Sequence, residues 1–203
     1  MNNLYQLKVT LKGVDPTVWR SFVVPANITL DRLHDVVQIV MGWEDCHLHS
    51  FSFKKQVYIE NPESPDDEDE ALIRLNELLK KKGNKLTYLY DFGDSWEHEI
   101  VLEDKNYVSD EMFSDLECID GMMVCPMEDC GGAFGFMNLL AVIDDPKNNE
   151  EAFEELLDFI DAPDGVGKEE LLAHLLSFDI NEVNSGLALY SRWSRDRELP
   201  WNE

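Results

Sequence analysis

The chain has 203 residues, 44% of them apolar, enough to build a core for one large domain or a domain with an appendage. Its 42 acids against 17 bases leave a formal net charge of −25, which repels nucleic acid phosphates and argues against a DNA- or RNA-binding role. No apolar run reaches the about 18 residues of a membrane span, and Met1-Asn2-Asn3-Leu4 lacks the basic start of an export signal; a soluble cytoplasmic protein with reduced cysteines is expected.

In chain order, Leu4 to Lys12 alternates Tyr5, Leu7, Val9 and Leu11 with polar residues, as a half-buried strand does. Gly13-Val14-Asp15-Pro16 turns the chain, and Val18 to Val24 returns as a second strand closed by Pro25. Thr29 reads as the N-cap of a helix carrying Leu30, Leu33, Val37, Val40 and Met41, ended by Gly42. Leu48 to Phe53 is a third strand, with Val57 to Glu60 as a candidate continuation. Hairpin, helix and strand make a β-grasp-like start to an α+β fold.

Glu60 to Glu70 holds seven acids and no base, and reads as a mobile loop or an edge outside the core. Ala71 to Lys82 reads as a short helix stopped by Gly83-Asn84. Leu86 to Tyr90 and Ser95 to Glu103 pair across Gly93-Asp94 as a second hairpin. Residues 104–132 read as irregular. A helical C-terminal part follows, over Phe134 to Ile143, Glu150 to Phe159 and Lys168 to Leu176. Ile180 to Ser191 fits either a helix or a strand, and the tail with Trp193 and Trp201 is open to packing back or meeting a partner.

The candidate chemistry lies in the strands and turns. Trp96, His98, Ile100 and Leu102 share one face of their strand, and His47 and His49 fall in phase with Phe51 and Phe53. Were those strands neighbours, His47, His49 and His98 could converge on zinc or another first-row ion, with a carboxylate from Asp45, Asp91 or Asp94. The bland alternative is three buried histidines, each satisfied locally. Asp91 and Asp94 bracket Phe92-Gly93, where aspartates commonly bond their own backbone; the functional alternative is a pair of carboxylates at a loop mouth. Cys125 and Cys130 are too widely spaced for a standard zinc knuckle, and Glu128-Asp129 between them forms a loop acid pair.

Four strings together resemble the plasmid pRiA4b ORF-3-like family, which includes passengers of insertion elements. They are Val18-Trp19-Arg20, the run from Met41-Gly42-Trp43-Glu44-Asp45-Cys46 to Phe51, the run from Tyr90-Asp91-Phe92-Gly93-Asp94 to His98, and Cys125-Pro126-Met127-Glu128-Asp129-Cys130-Gly131-Gly132. The resemblance implies an α+β domain over residues 1–160, with 161–203 as a helical extension that packs on it or trails it. It implies no particular activity. A resolvase label borne by some members finds no nucleophilic serine among arginines here.

The reading is a binding or adaptor module with a pocket of Trp43, Asp45, His47, His49, Asp91, Asp94, Trp96, His98, Glu128 and Asp129. The alternatives are a metal-dependent hydrolase, with a zinc-class ion on His47, His49 and His98 and Asp94 or Glu128 as general base, and an acidic regulator that masks a basic mobile-element enzyme.

Overall fold

The alternation read from the sequence sets the core face of the sheet. The computed structural model describes residues 3–62, 64–108, 115–145, 147–159, 165, 167–175 and 177–198. Strands and helices run in the order β1 (Leu4–Leu11), β2 (Trp19–Pro25), α1 (Leu30–Met41), β3 (His49–Phe53), β4 (Gln56–Ile59) and β5 (Asp67–Asp69). A 3-10 turn at Glu70–Leu72 leads to α2 (Leu75–Leu78), β6 (Lys85–Tyr90), β7 (Trp96–Tyr107) and β8 (Glu117–Met122). The helices α3 (Gly132–Asp144), α4 (Glu150–Phe159), α5 (Lys168–Leu175) and α6 (Ile180–Glu198) complete the mixed α+β chain.

The strands form one sheet in the order β5-β4-β3-β6-β7-β1-β2-β8, antiparallel throughout except between β4 and β5. The chain follows the expected order of hairpin, helix and strand. Within the sheet, however, β1 has β7 as its second neighbour, and β3 lies beyond β6. Register stacks the apolar positions into rows: Leu11 opposite His98, His98 opposite Tyr88, and Tyr88 opposite Phe51. All of these are buried.

Helix α1 packs its apolar face onto this core, burying Leu30, Leu33, Val36, Val37, Val40 and Met41 together with His34 and Gln38. Gly42, at φ 97°, ends it and donates its N–H to the Gln38 carbonyl. Thr29 occupies the N-cap position, but its side chain makes no cap hydrogen bond; its backbone bridges Arg74 instead. Arg20, 2% exposed, donates Nε–H to the Val40 carbonyl and a second guanidinium N–H to the Trp19 and Met122 carbonyls. Phe178 stacks over it at 4.1 Å. The Val18-Trp19-Arg20 string thus ties α1, β8 and the approach to α6 together, satisfying a buried cation with backbone dipoles near a helix C-terminus.

Three expectations are corrected. The helix expected over Ala71 to Lys82 is only the 3-10 turn and α2, because the segment sends its hydrogen bonds elsewhere. Leu75 and Asn76 donate N–H to the carbonyls of Ile28 and Ala26, and Asn84 Oδ1 receives the N–H of Lys80 and Lys81. The stretch 104–132, read as irregular, contains the end of β7 and all of β8; residues 109–114 lie outside the described residues. The acidic run does supply an edge, Asp67–Asp69 pairing as β5, but it is not all outside the core, since Glu70 is buried.

After β8 and the loop over 123–131, the described elements are all helices. Ile143, Leu156 and Leu171 of α3, α4 and α5 make a small second core. The ambiguous stretch from Ile180 is helix α6, whose Leu187 joins the main core. Asn184 exchanges two hydrogen bonds with the Cys118 backbone, and the Tyr190 hydroxyl donates to Asp35 Oδ2 at 2.7 Å. Trp201 and the side chain of Trp193 lie outside the described residues.

Candidate functional site

Three turns meet beside the β3–β6–β7 end of the core: 43–48 after α1, 91–95 between β6 and β7, and 128–132 before α3. Asp45 (φ 54°), Asp91 (φ 54°), Ser95 (φ 59°) and Asp129 (φ 56°) hold left-handed conformations uncommon outside glycine. Cross-links hold them. Glu44 N–H donates to Glu128 Oε1 at 2.9 Å, Gly131 N–H to Asp94 Oδ2 at 3.0 Å, and Cys46 N–H to the Tyr90 hydroxyl at 3.1 Å. Gly132 passes so close that a Cβ there would lie 2.4 Å from the Asp94 carbonyl oxygen.

On one side of these turns opens a cleft of about 620 Å³. Asp31, Asp35, Asp45, Glu60, Asp69 and Glu70 line it with His34, His47 and His49, and among the described residues no lysine or arginine does. Leu48, 67% exposed, and Phe92, 53% exposed, give its rim an apolar surface. At its floor the rings of His34 and His49 stack at 3.5 Å with 2° between planes. His34 Nε2 lies 2.8 Å from Asp45 Oδ1, and His49 Nε2 lies 2.9 Å from Glu70 Oε1.

The proton positions in this floor follow from its donors. Gln38 Nε2–H donates to the Tyr88 hydroxyl at 2.7 Å, and burial holds that phenol's pKa well above its usual value. The Tyr88 proton therefore goes to His34 Nδ1, 2.8 Å away, leaving His34 Nε2–H to donate to Asp45. Burial, then the neighbouring His49, pulls the His34 pKa down, in keeping with this neutral tautomer. Burial raises the Asp35 pKa, opposed by the hydrogen bond from Tyr190.

On the other side of His47 is a second polar cluster. His47 Nε2 lies 3.3 Å from Asp129 Oδ1, 3.8 Å from Glu128 Oε2 and 3.9 Å from Asp91 Oδ2. Asp91 Oδ1 accepts the N–H of Gly93 at 2.8 Å, and Glu128 Oε1 accepts the Tyr90 hydroxyl at 3.0 Å. Burial, the largest cause, raises the Tyr90 phenol's pKa far above its ordinary range; the Cys46 N–H opposes it, and the Cys46 thiol and the Glu128 carboxylate add to it.

The ten residues read from the sequence thus fall into separate environments. Asp45, His47 and His49 line the cleft. Asp91, Glu128 and Asp129 surround His47. Asp94 spends an oxygen on Gly131, and Asp91 makes the local turn hydrogen bond that aspartates at such positions commonly make. Trp43, Trp96 and His98 are core: Trp43 and Trp96 rings meet at 5.3 Å, and Trp43 Nε1–H points at His98 Nε2 at 3.4 Å. Burial lowers the His98 pKa to about 4. His47, His49 and His98 therefore do not converge as the zinc reading requires. Each faces different partners, and among the described residues no group of three close metal-ligating side chains contains two histidines.

The sequence reading missed His34, Asp35, Tyr90 and Glu70. His34 had a signal, since it follows Leu30 by four residues and precedes Val37 by three on the apolar stripe of α1. Glu70 had none, being the last acid of a charged run.

The model of the plasmid pRiA4b ORF-3-like protein family matches residues 3–186. An uncharacterized protein, y4hQ, from Sinorhizobium fredii is 36% identical over 162 residues, covering 74% of this chain and 78% of its own length. The crystal structure of a protein of unknown function, MM3350, from Methanosarcina mazei Go1 superposes with a TM-score of 0.74 at 26% identity, covering 90% of this chain and 97% of that one. The match extends past residue 160, the expected domain boundary, into α6. Among the described residues no helix is long and apolar enough to cross a membrane.

Proposed function

This chain belongs to the plasmid pRiA4b ORF-3-like family, and we propose that it serves as a binding module that seats a basic segment of a partner protein in its acidic cleft. The observation that carries this reading is the lining: six carboxylates, three histidines and, among the described residues, no lysine or arginine. An unliganded cluster of that charge repels itself, and an ammonium or guanidinium group relieves the repulsion. The exposed ring of Phe92 at the rim offers a cation–π contact worth about 0.5–1 kcal/mol to such a group. Ile59, Leu48 and Ala71 suit the aliphatic stem of lysine or arginine.

In this reading residues 1–160 form the module, on a β-grasp-like opening scaffold, and 161–203 are a helical extension, of which α6 packs on α1. The setting is soluble and cytoplasmic. A basic mobile-element enzyme is a partner of the required chemistry.

Calorimetric titration with an arginine-rich peptide tests the reading. We expect one peptide per chain, with binding that weakens as salt is raised. Phe92→Ala with Glu60→Gln, both exposed side chains at the cleft, should together cost about fivefold in affinity. Absence of heat at low salt, or affinity unchanged in the double variant, would rule the reading out.

A further inference from the structure

We propose that His47 anchors a binding site for one first-row divalent metal ion at the side of the cleft, with carboxylate ligands drawn from Asp91, Asp129 and Glu128 around it. The spacing supports it first. Ligand atoms bound at about 2.0–2.2 Å to one ion must stand about 3–4 Å from one another. The separations from His47 Nε2, 3.3, 3.8 and 3.9 Å, fall in that range, and His47 groups within 4.8 Å with Asp91 and Asp129 on one side and with Cys46 and Glu128 on the other.

The second observation is independent of spacing. His47 Nε2 and Glu128 Oε2 are both sealed from solvent at the atom level, and neither has a hydrogen-bond partner. Leaving such groups unsatisfied costs about 1–3 kcal/mol each, so a buried pair facing one another calls for something between them. A metal ion satisfies both at once.

The third observation is how the remaining oxygens are held. Glu128 spends Oε1 on the Tyr90 hydroxyl and the Glu44 N–H, and Asp91 spends Oδ1 on the Gly93 N–H. Each carboxylate thereby keeps its second oxygen turned to His47, the arrangement by which surrounding hydrogen bonds orient metal ligands. The turn at 91–95 and the turn at 128–132 are locked by Gly131 N–H on Asp94, so the donors are presented together before any ion arrives.

An imidazole with carboxylates beside it suits zinc, manganese or iron(II). The Cys46 thiol groups with His47 and Glu128 within 4.8 Å, and its softness biases the set toward zinc.

The test uses the full chain, stripped with chelator and titrated separately with Zn²⁺, Mn²⁺ and Mg²⁺ by calorimetry. We expect one Zn²⁺ per chain at micromolar affinity or tighter, weaker Mn²⁺ and no measurable Mg²⁺. Asp91→Asn and Glu128→Gln should each weaken Zn²⁺ at least tenfold, whereas Glu60→Gln in the cleft should leave it unchanged. No Zn²⁺ binding by the parent chain, or binding undiminished in both variants, would overturn the site. Should either variant lose its cooperative melt, chemical protection of the parent chain decides. Zn²⁺ must shield His47 from diethyl pyrocarbonate, mapped by mass spectrometry, and equal modification with and without Zn²⁺ overturns the proposal.

Discussion

The surroundings of His98 and His47 differ, although both histidines come from the same family strings and stand within a few residues of a tryptophan. His98 is fully buried between Trp43 and Tyr88 in the sheet core, with no carboxylate against it. His47 stands in a loop with three carboxylate oxygens within 3.9 Å. Burial governs the first, and carboxylate oxygens ring the second, so in the account proposed above one histidine is scaffold and the other is the site. Residue type alone does not distinguish them; the element that carries each does. A strand fixed on both sides buries its side chain, whereas a turn held by cross-links presents one.

The sharpest way to break the comparison is in the core. Trp96→Ala removes the largest fully buried side chain and should cost about 3–5 kcal/mol of unfolding free energy in urea melts. Zn²⁺ affinity of the folded fraction should stay within about threefold of the parent. Stability loss without loss of the loop site keeps the two regions distinct; proportional loss of both would merge them.

The next effect is on pH dependence. The folded pKa of His98, about 4, is depressed below the unfolded value near 6.5. The unfolded chain therefore binds the proton first as pH falls. The contribution is fully present above about pH 6.5 and is lost progressively down to about pH 4, by as much as roughly 3 kcal/mol. His98→Gln should flatten that part of the stability profile, read as the difference between parent and variant melts across the window. His34, depressed by burial as well, adds slope of the same sign in both proteins.

The smallest effect sharpens the loop side. Gly132→Ala forces a Cβ to within 2.4 Å of the Asp94 carbonyl oxygen at a backbone φ of 69°. We expect about 1–3 kcal/mol of destabilisation and a several-fold loss of Zn²⁺ affinity as the 128–132 turn moves from the 91–95 turn. Calorimetry and melts on one sample separate the two.

What the sequence made legible follows the same division. Period-two alternation placed Trp96, His98, Ile100 and Leu102 on one face, and the structure buries all four. Helical spacing and Gly42 located α1 and its end. The partners of His49 were not legible, because Glu70 reaches it from the close of an acidic run across an intervening edge strand. Nor could spacing show that β3 is parted from β7 by β6, which sends His49 and His98 to different neighbours. The cluster around His47 joins positions 47, 91 and 128–129, and only tertiary contact between turns assembles it.

The histidine-ring ¹H–¹⁵N spectrum, recorded on one sample with and without Zn²⁺, tests the division between scaffold and site most directly. The account predicts that the His47 Nε2 resonance moves on adding one equivalent of Zn²⁺, while the His98 ring keeps the shifts of a neutral imidazole. An unmoved His47, or a His98 that shifts with the ion, would contradict it.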